Sequence, residues 1–374
     1  MKPRALYLTS EYSLRNGWGT CSVNWIEGLK EEVSEANVFT YKHADNISAP
    51  WPVHPILMSA EFGYCKGILT QWDALRIRQL LSGRFDIIHT LVEPLVLLGS
   101  QLARHFQAKH LVQLIGTYSV FPTRTRWKRH YQSALTEADK LTSISAYTAK
   151  RVSEEYEALD IQVCPLGVSP KEFHANESVP KGKYFLFVGT PKPRKGLLTA
   201  LQGFQKFLTR HPGYEFRVAG LVDASDYLGT INRFIRNHNL PVRFLGQVSH
   251  GELVSQYQAC VAHVLPSVSE PFFFEGFGLV HLEANMCGAL TIGTRDSANQ
   301  EVIDEGASGF LVKQGNPDDV QTAMEHAVEI TTSNPLKTIQ QCVRHARKFE
   351  WSVSINALRG EYQSAQACEH VEPA

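Results

Sequence analysis

Two carboxylates eight residues apart, Glu275 and Glu283, bracket a Gly276-Phe277-Gly278 turn inside the stretch Ser269-Glu-Pro-Phe-Phe-Phe-Glu-Gly-Phe-Gly-Leu-Val-His-Leu-Glu-Ala-Asn-Met-Cys-Gly288. From Leu279 the residues take on a helical period, so the turn lies at a helix N-terminus, where unpaired N–H groups and the positive dipole end favour anions. Glu283, one turn into that helix among Leu279, Val280, Leu282 and Met286, is costly to bury unpaired. It must hold a pair of ligand hydroxyls, as a ribose offers, or reach solvent. Eight helical residues cover ~12 Å, about the distance from the ribose to the sugar of a nucleotide-sugar. A carboxylate pair for glycoside hydrolysis sits closer, ~5–9 Å apart, so hydrolysis is disfavoured, though mildly. A second constellation is Gly189-Thr190-Pro-Lys192-Pro-Arg194-Lys195-Gly196. Three cations among bare glycine backbone, just ahead of a helix, suit a diphosphate clamp or, taken alone, a solvated basic loop.

The elements around these residues alternate. Cys260–Leu265 reads as a buried strand before the first constellation and Ala289–Gly293 as another after it. Tyr184–Val188 is the strand that leads into the cationic loop, with a helix from Leu197 to Leu208 behind it, and Glu215–Ala219 and Arg243–Leu245 are further strands. The N-terminal half repeats the order. Ala5–Thr9 runs into Asn16-Gly17-Trp-Gly19-Thr20 and a helix with Val23, Trp25, Ile26 and Leu29 on one face. That glycine loop lacks a G-x-G-x-x-G, which makes a dinucleotide site a weak reading. Asp86–His89, Lys109–Ile115 with Gly116-Thr117-Tyr118 after it, Lys140–Ser145 and Ile161–Cys164 are the later strands. Residues 40–70 have no clean period. Strand–helix alternation throughout implies parallel sheets covered on both faces. The expected fold class is α/β, two Rossmann-like doubly wound domains facing a cleft: 1–176, 177–350, and a C-terminal segment 351–374 that packs back on the first domain.

The length of 374 residues suits two domains. Lys+Arg and Asp+Glu both number 37, so the global basic footprint of a nucleic-acid binder is absent. Seven cysteines (Cys21, Cys65, Cys164, Cys260, Cys287, Cys342, Cys368) contain no C-x-x-C pair; an odd, scattered set suits reduced thiols better than disulfides or zinc. Lone histidines such as His89 and His281 read as packed or solvent-facing side chains rather than catalytic ones. No apolar leader precedes Ala5, and no stretch approaches the ~18 apolar residues of a membrane span. The expectation is a cytoplasmic protein, with contact to the inner membrane face left open.

The run Pro266-Ser-Val-Ser-Glu-Pro-Phe-Phe-Phe-Glu275-Gly-Phe-Gly-Leu-Val-His-Leu-Glu283-Ala, followed by Cys287-Gly288 and by Glu301-Val-Ile-Asp-Glu-Gly306-Ala-Ser-Gly309-Phe-Leu-Val312, resembles the signature of the family-4 retaining glycosyltransferases of the GT-B fold. Supporting pieces span the chain: Gly17-Trp-Gly19-Thr, Asp86-Ile-Ile-His, Pro165 to Phe173, Phe187 to Gly196 and Phe244-Leu-Gly-Gln-Val248. The resemblance implies that Glu275 holds the transferred sugar and Glu283 the ribose. Amides of Gly276, Phe277 and Gly278, with Leu279 behind them, would face sugar and phosphates, and Lys195 with Arg194 would neutralise the departing diphosphate. Gly189, Thr190, Gly17 and Gly19 would complete the donor site, and Val248 would lie at the nucleobase edge. No metal and no cofactor is expected; the nucleotide-sugar is itself a substrate.

The chain departs from the family pattern at three places. Ile115 stands where many relatives have a histidine, which leaves Thr117 or Tyr118 to face the sugar or the acceptor beside Gly116. Thr190 replaces a common arginine, and Ser297-Ala298 replaces a Gly-Gly pair. Phe121 to Tyr131 carries Arg124, Arg126, Lys128 and Arg129 around Trp127 with no acid, which suits contact with anionic lipid or an acceptor phosphate, or simply a solvated face. The expected partners are a nucleoside-diphosphate sugar (GDP-mannose, UDP-glucose or UDP-N-acetylglucosamine) and a glycan or lipid-linked acceptor. The alternative is a catalytically inactive GT-B protein with a binding or regulatory role.

Overall fold

The computed structural model describes residues 1–58, 62–63, 65–222 and 225–366. The chain divides into two compact units, Met1–Leu166 with the chain from Trp351 onward, and Gly167–Glu350. The sequence-based boundary at 176/177 therefore lies inside the second unit.

The first unit is built on strands β1 (Arg4–Leu8), β2 (Glu35–Tyr41), β3 (Val53–Leu57), β4 (Ile87–Thr90), β5 (Lys109–Leu114), β6 (Lys140–Ser143) and β7 (Ile161–Val163). They pair in the order β3-β2-β1-β4-β5-β6-β7, every pairing parallel. Helices α1 (Gly17–Leu29), α2 (Lys66–Leu80), α3 (Val96–Phe106), α4 (Thr117–Val120), α5 (Lys128–Thr136) and α6 (Ala146–Glu155) connect them. The central strands are buried along their length, as expected of a sheet covered on both faces.

Residues 40–70 resist reading for physical reasons. The third strand contains Pro55, and it lies at the sheet edge, the place where a missing N–H is tolerated. The helix α2 turns Ile68, Trp72 and Leu75 to solvent, 74%, 53% and 47% exposed, so apolar residues do not mark its inner face. Residues 59–61 and 64 of this stretch lie outside the described residues.

The C-terminal helix, Trp351–Gln366, is stitched into the first unit. Trp25 Nε1 donates to Ser354 Oγ at 3.0 Å, and the Trp25 ring meets Trp351 edge-on at 6.3 Å. Gly28 is needed beneath it, because a Cβ there would sit 2.0 Å from Ile355 Cδ1. Inside the sheet layer, His89 Nδ1 lies 2.7 Å from Tyr362 Oη. Ala367 and Cys368 fall outside the described residues.

In the second unit β8 (Tyr184–Val188), β9 (Glu215–Ala219), β10 (Val242–Gly246), β11 (Ala262–Val264), β12 (Leu290–Thr294) and β13 (Gly309–Val312) form a second parallel sheet, in the order β10-β9-β8-β11-β12-β13. Helices α7 (Leu197–Leu208), α8 (Asp226–Asn237), α9 (His250–Ala259), α10 (Leu279–Met286), α11 (Asn299–Val302), α12 (Pro317–Ser333) and α13 (Pro335–Ala346) cover it. Its core gathers Phe185, Phe187, Phe204, Phe207 and Phe216 with Leu201, Val320 and Met324. In both sheets the order of strands reverses at one strand: β1 lies between β2 and β4, and β8 between β9 and β11. The carboxyl ends at such a switch point form the crevice in which α/β sheets bind ligands.

Candidate active site

At the switch point of the second sheet, the loop after β8 and the loop after β11 are joined to each other. Val268 N donates to Arg194 O at 2.8 Å. Gly196, in the left-handed region at φ +70°, passes so close that a Cβ would lie 1.9 Å from Pro266 O. Only glycine meets both demands. The junction brings the cationic loop against Glu275: Arg194 Nη1 donates to its Oε2 at 3.0 Å, and Lys195 Nζ lies 2.5 Å from the same oxygen. Burial alone would lift the Glu275 carboxyl, but Lys195 and Arg194 override it and hold it down at about 2. Burial also lowers the Lys195 ammonium from its ordinary value, against the opposing pull of Glu275. Lys192, the third cation of the loop, is exposed and outside the cluster.

The other carboxylate has a different environment. Glu283 is half-buried on α10, and its Oε2 accepts a 3.1 Å hydrogen bond from Tyr257 Oη. Burial pushes its carboxyl up to about 7, the Tyr257 hydrogen bond pulling the other way and Glu172 adding to the rise. One glutamate is thus held ionised by cations, while its neighbour titrates near neutrality. Tyr257 is a contributor that sequence reading misses; nothing in the local pattern of α9 marks it.

The other residues of this unit singled out from the sequence differ in burial. Gly278, at φ +91°, starts α10, and a Cβ there would lie 2.7 Å from Asn299 Nδ2. Gly276, Phe277 and Gly278 are buried, and Leu279, Gly189, Thr190 and Val248 half-buried. The Phe277 side chain packs inward, its ring 6.3 Å from Phe349. His281 and His263, ring centroids 5.0 Å apart, are buried behind the turn. Burial drives His281 down to about 3 and His263 well below its ordinary value, which leaves neither protonated at neutral pH.

In the first unit, the structure corrects the reading of Gly17 and Gly19 as a loop: both are in the first turn of α1, capped by Asn16, whose Oδ1 accepts from Gly19 N at 3.0 Å. Gly19 is buried, with Ser13 O 2.4 Å from the place a Cβ would take, whereas Gly17 is exposed. Trp18 between them meets the Tyr118 ring at 5.2 Å, so the structure joins the glycine segment to the Gly116-Thr117-Tyr118 turn. Ile115 is a buried core position. A further residue, Glu93, reaches across from the end of β4 to accept hydrogen bonds from Ile115 N and Gly116 N. Its sequence signal is an acid inside the apolar run Leu91-Val-Glu-Pro-Leu-Val-Leu-Leu.

The basic segment is only partly a free surface. Arg124, Arg126, Lys128 and Arg129 are exposed, but Trp127 is half-buried; its Nε1 donates to Gly63 O at 3.0 Å, and its ring lies over Gly67. Among the described residues no helix is long and apolar enough to cross a membrane, and no three His, Cys, Asp or Glu side chains are grouped to hold a metal ion.

Comparison with known proteins agrees with this architecture. Residues 168–349 match the model of the family described as Glycosyl transferases group 1. The chain is 26% identical over 347 residues to an uncharacterized glycosyltransferase of Methanocaldococcus jannaschii, covering 91% of this chain and 92% of that one. It is 26% identical over 296 residues to a phosphatidyl-myo-inositol mannosyltransferase of Mycobacterium tuberculosis, covering 76% of this chain and 75% of that one. The fold superposes on Anabaena HepE in complex with UDP-glucose with a TM-score of 0.76 at 15% identity, covering 97% and 100% of the two chains. The chain thus has two parallel Rossmann-like units of the GT-B fold, and the second of them, over residues 168–349, matches the group 1 glycosyl transferases.

Proposed function

We propose that the chain transfers a hexose, with retention and without a metal, from a nucleoside-diphosphate sugar to a hydroxyl of a glycan or lipid-linked acceptor. The observation that carries this reading is the convergence of Arg194 and Lys195 on one oxygen of Glu275. In the transfer, the bond from the sugar carbon to the diphosphate oxygen breaks, and the acceptor hydroxyl forms its new bond from the same face. Its proton passes to the departing diphosphate. Negative charge grows on that diphosphate, and preorganised cations aimed at growing charge are the largest single source of such catalysis. Lys195 and Arg194 supply those cations, and a bound diphosphate would share them with Glu275. Both cation contacts fall on Oε2, which leaves Oε1 for a sugar hydroxyl. Glu283 would take the ribose diol.

The donor is of the GDP-mannose, UDP-glucose or UDP-N-acetylglucosamine type; the UDP-glucose bound by HepE supports the uridine member of this group. The mycobacterial relative is named for a phosphatidylinositol acceptor, which supports a lipid-linked one here. The outward Ile68, Trp72 and Leu75 and the exposed Arg124, Arg126, Lys128 and Arg129 fit peripheral contact with an anionic cytoplasmic leaflet. Vesicles containing phosphatidylserine should co-sediment the chain, neutral phosphatidylcholine vesicles should not, and Trp72→Ser should weaken the contact. Equal binding to both vesicle types would remove the anionic-lipid reading. A catalytically inactive binding protein is the second reading, disfavoured because Glu275, Glu283 and Lys195 are all present.

A thermal-shift screen of UDP-glucose, UDP-N-acetylglucosamine and GDP-mannose tests the donor site. A ligand at a hundred times its Kd stabilises the folded chain by about 2.7 kcal/mol. One donor should raise the melting temperature in wild type and lose that effect in Lys195→Ala. A shift of equal size in the variant would contradict the assignment.

A further inference from the structure

Glu93 stands where β4 ends, in a short 3-10 turn, Glu93–Leu95. It is 1% exposed and spans to the end of the neighbouring strand β5. Its Oε1 accepts three hydrogen bonds: from Ile115 N at 2.6 Å, Gly116 N at 2.8 Å and Ser119 Oγ at 2.7 Å. The turn it holds has no cap of its own. Gly116 takes φ +149° and ψ −125° ahead of α4 and has no side chain to bond the helix. A carboxylate from another element instead ties the two amides just ahead of the helix to a hydroxyl in its first turn. Both amides are thus taken up by Glu93, and the side chains of Thr117 and Tyr118 that follow are half-buried. Tyr118 then packs against Trp18 at 5.2 Å and Phe121 at 5.9 Å, which couples the turn to the first turn of α1.

We infer that Glu93 is a positioning residue, holding the Gly116-Thr117-Tyr118 turn in the one conformation that the transfer reaction requires. The inference rests on the acceptor-side reading of that turn. Three donors converge on one carboxylate oxygen, an arrangement that fixes the turn more tightly than a single capping bond. The other oxygen, Oε2, is buried with no hydrogen-bond partner among the described residues. An acid that costs so much to bury has a role beyond filling space. Burial raises its carboxyl above the ordinary range, against the lowering effect of Ser119 and the two amides. All three donors use one oxygen, so the carbonyl oxygen of a glutamine in its place keeps the essential acceptor.

The test compares Glu93→Ala, Glu93→Gln and Glu93→Asp in the full chain. Amide hydrogen exchange is followed across residues 112–120, with residues 276–283 as the reference. Release of nucleoside diphosphate from UDP-glucose, UDP-N-acetylglucosamine and GDP-mannose is measured alongside the affinity for UDP and GDP. The expected result is exchange at Ile115 and Gly116 about tenfold faster in Glu93→Ala, and turnover lower by about tenfold or more, the size of losing an alignment in the transition state. Nucleotide affinity should stay within about twofold, and Glu93→Gln should restore both exchange and turnover. Unchanged exchange, or unchanged turnover despite faster exchange, would overturn the inference. If Glu93→Ala does not fold, Glu93→Gln against Glu93→Asp carries the same comparison, because aspartate keeps the carboxyl group but falls one methylene short. If Thr117→Ala and Tyr118→Ala turn over normally while Glu93→Ala does not, the acceptor-side reading of those side chains falls and the hold of Glu93 on the Gly116 backbone stands.

Discussion

Glu275 and Glu283 are the same residue type on one short stretch, yet the fold gives them opposite titration. Lys195 and Arg194 lower the first to about 2, and burial raises the second to about 7. The sign of each effect on stability follows. Glu275, depressed, contributes stability that is present above the ordinary carboxylate value of 4.5 and lost as pH falls through about 2. Glu283, raised, contributes stability present below 4.5 and lost as pH rises through about 7. The unliganded chain should therefore lose melting temperature between these values relative to Glu283→Gln. A ribose diol donating to Glu283 favours its ionised form, so UDP or GDP binding near pH 7 should release a fraction of a proton. Titration calorimetry in two buffers of different ionisation enthalpy measures that release. It should disappear in Glu283→Gln, whereas the titration of the nucleotide's own phosphate is common to both proteins and cancels. Equal proton release in the two would place the ribose elsewhere.

At the scale of elements, the site depends on two loops passing within van der Waals contact. Gly196 and Gly213 are both left-handed, at φ +70° and +85°, but a Cβ at Gly196 meets Pro266 O at 1.9 Å, whereas one at Gly213 meets nothing within 4 Å. Gly213→Ala should cost about 1–2 kcal/mol, the backbone strain alone. Gly196→Ala should cost more than that and should also weaken nucleotide binding, because it separates Lys195 from Glu275. Denaturant melts and UDP or GDP titrations of the two variants read both effects; equal costs would mean that the loops can part freely. Much of this arrangement was legible in the sequence. The spacing of Glu275 and Glu283, the helix starting at Leu279 and the cationic loop after β8 all followed from residue order. The shared oxygen of Glu275, the phenol of Tyr257 and the reach of Glu93 did not, because each joins residues far apart in the chain. Pro55 and the outward apolar face of α2 hid β3 and α2, since both break the usual link between pattern and burial.

The whole chain repeats one plan twice. In each sheet the strand order reverses beside the first strand of the unit, and in each unit the residues singled out for chemistry follow the carboxyl ends of central strands, β4 and β5 in the first and β8 and β11 in the second. Glu93, Gly116 and Tyr118 do so in the first unit, and Arg194, Lys195 and Glu275 in the second. The C-terminal helix returns to complete the first unit through Trp25, Gly28 and His89, so each unit has a closed core of its own.

The central claim is that the full chain turns over a nucleotide-sugar through Lys195 and Glu275. The most direct measurement is the rate of nucleoside diphosphate release by the full chain, supplied in turn with UDP-glucose, UDP-N-acetylglucosamine and GDP-mannose together with glycan and lipid-linked acceptors. Release is expected with one of these donors. Lys195→Ala and Glu275→Ala should each slow it by about a hundredfold, the scale of removing one transition-state contact. No release with any donor, or wild-type rates in either variant, would contradict the account.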